Sequence, residues 1–243
     1  MCAVSGLSDF ATLSDGGATR AMLGLSNEVL VVSNRVLYRV DTGGTATLVG
    51  GIASDGHVTM ALNGRESGAQ VGIVCDGLYS IYAGGTLTEV NDPDLRPPNS
   101  ICYIGGYFCF TSADGRMTVS ELESGAEIDD LDYTTARSQP DGLVGGINRG
   151  LDWLVLGERS AEVWSLVQGD ADFPFGRANT FDFGCCSARS IQRVTILTAS
   201  GKVASMRHVL DLQAGSATTE FEIACFGVGG AGIGVDSYYH GVH

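Results

Sequence analysis

Proline and positive charge are both scarce in this chain. Its 243 residues hold 5 prolines, 14 Lys and Arg against 28 Asp and Glu, and only 2 tryptophans. So few prolines beside 35 glycines exclude a collagen-like chain and a Pro-rich disordered one. The net charge of −14 argues against gripping nucleic acid by neutralising phosphates, though not against DNA sliding past. No uncharged apolar run approaches the ~18 residues that cross a membrane, so no insertion is expected. The seven cysteines include no Cys-x-x-Cys, which removes a zinc ribbon and a thioredoxin-type site. Their number is odd and four fall in apolar strand segments, where free Cys behaves as a small buried apolar residue. The start, MCAVSGLSDF, lacks the basic and apolar parts of a secretory signal. Folding in a reducing cytosol is the reading that follows.

What the chain does have is a repeat. A strand–turn–strand pattern recurs at Val29–Val40, Val71–Tyr82, Tyr107–Ser120, Trp153–Leu166 and Val194–Met206. The second turn residues, Asn34, Gly77, Gly115, Arg159 and Gly201, are spaced by 43, 38, 44 and 42 residues. An all-β period of ~40–50 residues is the signature of propeller blades. A blade cannot bury both faces alone, and radial stacking buries them. Further apolar segments precede each hairpin: Ala21–Leu25, Val58–Leu62, Ile101–Ile104, Val144–Ile147 and Ala188–Ile191. Fourth segments follow at Thr45–Val49 and Thr86–Val90, so four strands per unit is expected. Asp76-Gly77 and Asp114-Gly115 supply the positive φ of tight hairpins.

The expected fold is an all-β propeller of about five four-stranded blades over residues 1–226, or six if the termini add a unit, followed by a Gly-rich tail, 227–243. Phe10-Ala11-Thr12-Leu13 resembles Thr45-Ala46-Thr47-Leu48, an outer-type strand. It either pairs with the last blade and closes the ring or is an unpaired leader. The expected core includes Val31, Leu37, Ile73, Ile81, Phe108, Val119, Leu154, Val163, Ile196 and Val203.

Motifs for catalysis or cofactors fail on context. Gly227-Val228-Gly229-Gly230-Ala231-Gly232 matches GxGxxG, but only eleven residues follow, too few for a βαβ unit. No GxSxG occurs. Gly201-Lys202 has Ile196 where a phosphate loop needs glycine. His57, His208, His240 and His243 form no HExxH, and Asp129-Asp130-Leu131-Asp132 lacks the glycine and distal glutamate of a calcium loop. No catalytic residue, cofactor or metal site is nominated. Between Glu121 and Asp141, seven carboxylates meet one base, Arg137. A solvated loop, a cation site or a DNA-repelling wall would each account for them. Trp153 and Trp164 share a hairpin and read as core, or as a ligand-stacking platform.

From Ile128 to Cys186 the elements come in a specific order. They are IDDLDY, Ala136-Arg137-Ser138 with Pro140-Asp141, Gly157-Glu158-Arg159-Ser160, Glu162-Val163-Trp164, Asp172-Phe173-Pro174-Phe175 with Arg177, and Phe183-Gly184-Cys185. In these the chain resembles the packaged-DNA stabilisation proteins (tail hub, or nozzle) of short-tailed bacteriophages. The resemblance implies a non-enzymatic virion protein, folded in the host cytoplasm and built into the tail. It implies a ring of six copies below the portal and its adaptor, through which double-stranded DNA passes without sequence-specific binding. It also implies that the ring helps to retain the genome and opens for ejection. Members of the family run longer, so the chain would be a reduced version, a fragment, or completed by another chain. Candidate subunit contacts are Glu158, Arg159, Trp164, Phe173 and Phe175, with Asp129, Asp130 and Asp132 as a second patch. Against this stands a propeller that binds or cleaves polysaccharide, which needs carboxylates or aromatics converging at one end.

Overall fold

The computed structural model describes residues 9–65, 67–129, 131–136, 139, 141–167, 173–197, 203–209 and 224–226, with backbone alone from 192 onward. They form five antiparallel sheets. The first sheet is β1 (Thr19–Gly24), β2 (Glu28–Ser33), β3 (Val36–Asp41) and β4 (Ala46–Gly51). The second is β5 (Val58–Leu62), β6 (Gln70–Cys75), β7 (Leu78–Ala83) and β8 (Thr86–Glu89). The third is β9 (Pro98–Ile104), β10 (Tyr107–Ser112), β11 (Arg116–Val119) and β12 (Tyr133–Thr135). The fourth is β13 (Leu143–Arg149), β14 (Asp152–Gly157), β15 (Ala161–Leu166) and β16 (Phe175–Phe181). The fifth has three strands, β17 (Ile191–Leu197), β18 (Val203–Val209) and β19 (Ala224–Phe226). Each sheet is a meander in chain order. The chain divides into two compact units, residues 1–110 with 119–132, and residues 111–118 with 133–243.

The paired strands of all five expected hairpins are present, while the turn of the fifth, with Gly201, lies outside the described residues. The turn between β6 and β7 is Asp76-Gly77, at φ 48° and 80°. Both central residues of such a turn lie in the left-handed region, which only Gly, Asn and Asp enter readily. The segments ahead of the first four hairpins are the strands β1, β5, β9 and β13. The fifth, Ala188–Ile191, is corrected. Ala188–Ser190 forms a 3-10 turn, and the ladder starts only at Ile191. Ser190 Oγ and N both donate to the Ser187 carbonyl, at 2.7 and 3.0 Å. A hydroxyl that satisfies local backbone competes with strand pairing.

In the first unit β6 is buried on both faces. Val71, Ile73 and Cys75 join Leu30, Val32 and Leu37 of the first sheet and Val58 of the second. Val74, on the opposite face by period two, packs with Tyr79, Ile81, Ile101, Phe108 and Phe110. Gly72 is small because a Cβ there would run into Ile101 Cδ1 and lie 3.2 Å from Tyr79 and 3.3 Å from Phe108. In the second unit Leu154, Leu156, Ala161 and Cys185 form a further cluster. Of the expected core, Val31, Leu37, Ile73, Ile81, Phe108, Val119 and Leu154 are buried. Val163 is partly buried against its cluster, and the side chains of Ile196 and Val203 lie outside the described residues. Residues 9–13 carry no strand; Ala11 and Leu13 pack on Val31, Tyr38 and Val40 of the first sheet.

The first and fourth sheets share two irregularities. Their ladders shift between Thr19 and Ala21 and between Leu143 and Gly145, at the second residue of the opening strand. They shift again between β3 and β4 and between β15 and β16. Bulges bend a strand and re-aim side chains. The first turns Arg20 out of register, and its guanidinium donates to the carbonyls of Asn34, Ser54 and Gly56.

Candidate functional site

The candidate residues converge on the fourth sheet, and the structure divides them. Glu158 and Arg159 form the exposed tip between β14 and β15. Two segments hold that tip. Asp141, just before β13, accepts Arg159 N at 2.7 Å, Ser160 N at 3.1 Å and Ser160 Oγ at 3.0 Å. From the other side Cys185 N donates to Gly157 O at 2.8 Å. A Cβ on Gly184 would strike the backbone of Glu158 and Arg159. The tip is therefore a fixed platform carrying two adjacent opposite charges.

Trp164 and Phe175, two of the candidate subunit contacts, are buried within the chain itself. Trp164 meets Phe173 with ring centroids 6.4 Å apart, Phe173 meets Phe175 at 6.0 Å, and Phe175 meets Trp153 at 5.7 Å. Only Phe173 of this row is half-exposed. Period two puts Glu162 beside Trp164, and Trp164 Nε1 donates to Glu162 Oε2 at 2.8 Å. The carboxylate is 2% exposed, with Arg177 Nη1 3.9 Å away. Glu162 is an internal acceptor that orients the indole. Trp153 is fully buried as well. Neither indole offers a face to a sugar ring, which removes the stacking platform on this hairpin.

The acidic stretch is a built loop. Glu123 N donates to Gly106 O at 2.7 Å, Tyr79 Oη to Gly125 O at 3.0 Å, and Gly125 N to Gln70 Oε1 at 3.0 Å. Ile128 is buried beneath it in the core cluster of Phe108 and Tyr79. Glu121, Glu123, Glu127 and Asp129 remain exposed, while Asp130 lies outside the described residues. Among the described residues no group of three His, Cys, Asp or Glu side chains could hold a metal ion.

Asp132 is half-buried, and its carboxyl is raised above 3.8, first by burial and then by Glu121 and Asp129. Folding thus favours the protonated form. That contribution is full below pH 3.8 and is lost as pH rises through the raised value. Asp132→Asn is expected to raise the melting temperature at pH 7 and to leave it unchanged near pH 3. Thermal melts of both proteins at the two pH values check this.

Sequence reasoning singled out Asp141 and Gly184 within the family pattern without giving them a structural role, and it passed over Arg20. A signal for the first was present, an Asp-Gly step ahead of three opening strands: Asp15-Gly16, Asp55-Gly56 and Asp141-Gly142. Asp15 accepts from Ser33 Oγ at 3.1 Å, and Asp55 pairs with Arg35 at 2.9 and 3.0 Å. Each of the three fastens the end of a hairpin. Gly184 stands in the Phe183-Gly184-Cys185 element, but its constraint is a close approach of distant backbone that the element itself does not show.

Comparison with known proteins gives one family. A family model described as Bacteriophage P22 Gp10, beta-propeller, matches residues 1–216. No curated protein matches the chain. Among solved structures, Kluyveromyces lactis Hsv2 is similar at 8% identity, over 82% of this chain and 70% of its own, with a TM-score of 0.48. The computationally designed Ika4 protein is similar at 14% identity, over 66% of this chain and 99% of its own, with a TM-score of 0.49. The Neurospora crassa Pan2 WD40 domain is similar at 13% identity, over 80% and 61%, with a TM-score of 0.48.

Proposed function

Because this chain belongs to the phage stabilisation family of the P22 Gp10 β-propeller, we propose that it is a structural subunit of a phage tail hub. The observation that carries this reading is the match over residues 1–216, which spans all five hairpins. In this role copies of the chain form a ring of six below the portal and its adaptor. The ring extends the DNA channel, helps to hold the packaged genome and lets it leave at ejection. The five sheets act as the blades of the propeller. The chain folds in the host cytoplasm and is then built into the virion. It catalyses no reaction.

Its electrostatics support the reading. With 28 acids against 14 bases, the chain has little capacity to release counterions from a duplex. DNA can be retained by closure of a passage and still move freely when it opens. The tip at Glu158 and Arg159 supports a subunit contact, since opposite charges on a rigid turn fix the register of a neighbour.

Mass measurement of the purified chain tests the proposal, alone and mixed with portal–adaptor assemblies of the same phage. A ring, or uptake of several copies onto the assembly, is expected. A monomer that ignores the assembly overturns the hub reading.

A further inference from the structure

The hairpin of β9 and β10 sets two thiols face to face. Its turn is Gly105-Gly106, with φ of 59° and 105°. A two-residue turn fixes the register of its strands. Ile104 therefore faces Tyr107, Tyr103 faces Phe108, and Cys102 faces Cys109. The Tyr103 and Phe108 rings, with centroids 5.2 Å apart, agree with that register. Directly opposed residues of an antiparallel pair have Cα atoms about 4.5–5.5 Å apart, within the span that a disulfide bridges. Both cysteines are free and buried, and the Cys109 thiol donates to the Tyr107 carbonyl at 3.6 Å. Two other buried cysteines are engaged differently. Cys75 Sγ lies 3.1 Å from the Arg20 guanidinium, and Cys185 Sγ 3.1 Å from Ser190 Oγ.

We propose that Cys102 and Cys109 are a cross-strand dithiol, a redox modification site that a small disulfide such as oxidised glutathione converts to an internal disulfide. One thiol, as thiolate, attacks a glutathione sulfur. A mixed disulfide forms and one glutathione leaves, taking up the proton. The opposed thiol then displaces the second glutathione in the same way. Two protein thiols are oxidised, one glutathione disulfide is reduced, and both protons end on the two released glutathiones.

The surroundings set the rate. Burial, and then the neighbouring Cys102, push the Cys109 thiol well up, so little thiolate is present near neutrality. Exchange waits on opening of the hairpin and speeds up in dilute urea or at higher pH. Once closed, the bond ties β9 to β10 on the sheet face opposite Phe108 and Phe110. The inference stands apart from the tail-hub reading, since it concerns chemistry inside one chain.

The full chain is incubated with oxidised glutathione in dilute urea, returned to buffer, alkylated with iodoacetamide and digested without reduction. The peptide holding both cysteines is expected lighter by two hydrogens and alkylated at neither. The oxidised chain is expected to melt higher than the same chain after dithiothreitol, and Cys102→Ser to lose that difference. If both cysteines are recovered alkylated while Cys75 or Cys186 has reacted, the proposal is overturned. It is overturned equally if Cys102→Ser keeps the oxidant-dependent rise. The wild-type masses decide the matter even where the variant does not fold.

Discussion

Trp153→Ala is expected to lose about 3–5 kcal/mol of folding stability, the range for deleting a large buried aromatic. The indole is fully buried. It sits edge-on to Phe175 at 5.7 Å, and the site of a missing Cβ on Gly146 lies 2.5 Å from its Nε1. Neighbours this tight cannot collapse into the space, so the cavity adds to the lost burial. A domain's whole margin is about 5–15 kcal/mol, so the variant should be partly unfolded at 37 °C. Trp153→Phe separates the contributions. Trp153 Nε1 is buried without a hydrogen-bond partner, so removing it discards an unsatisfied donor, and the loss should be far smaller than for alanine. Urea unfolding followed by circular dichroism measures both. Equal losses would show that volume has little to do with the site.

Gly184→Ala should be nearly as damaging, by a different route. The new methyl group would meet backbone atoms of Glu158 and Arg159, and backbone has no rotamer with which to retreat. Either the tip lifts away from Asp141 or the segment at Cys185 loses its bond to Gly157 O. Overpacking of this kind costs about 1–3 kcal/mol, and the upper end applies where backbone must move. In the proposed ring, assembly should suffer more than stability, because the displaced tip carries Glu158 and Arg159. Melting temperature and ring mass on the same samples distinguish the two effects. Wild-type assembly by a destabilised Gly184→Ala would exclude the tip as a subunit contact.

The hairpins were legible because their signals are local. Apolar runs flank Asp76-Gly77 or Asn34-Arg35, and a tight turn needs nothing beyond the residues within it. The opening strand of the fifth sheet was misread for the complementary reason. Ala188–Ile191 has strand composition, but the Ser187 carbonyl takes both Ser190 donors and bends the chain. The site was half legible. Period two put Glu162 and Trp164 on one face, yet it could not show that this face turns inward. An aromatic and a carboxylate two residues apart read alike at a rim and in a core until their neighbours are known. The paired bulges in the first and fourth sheets, and the contact at Gly184, depend on residues far apart in sequence. No window of the chain holds both halves of those contacts.

The burial of β6 on both faces also bears on the order in which the chain can fold. Val71 and Ile73 need the first sheet, and Val74 needs the third. During synthesis the second hairpin emerges with one of these faces open, and it stays open until Ile101, Phe108 and Phe110 have been made. Until then the nascent chain presents an apolar sheet face to whatever is nearby, a period of exposure to chaperones and to association with other nascent copies. Once the third sheet docks, the amides of β6 are expected to exchange slowly with solvent, because freeing them means parting two cores together.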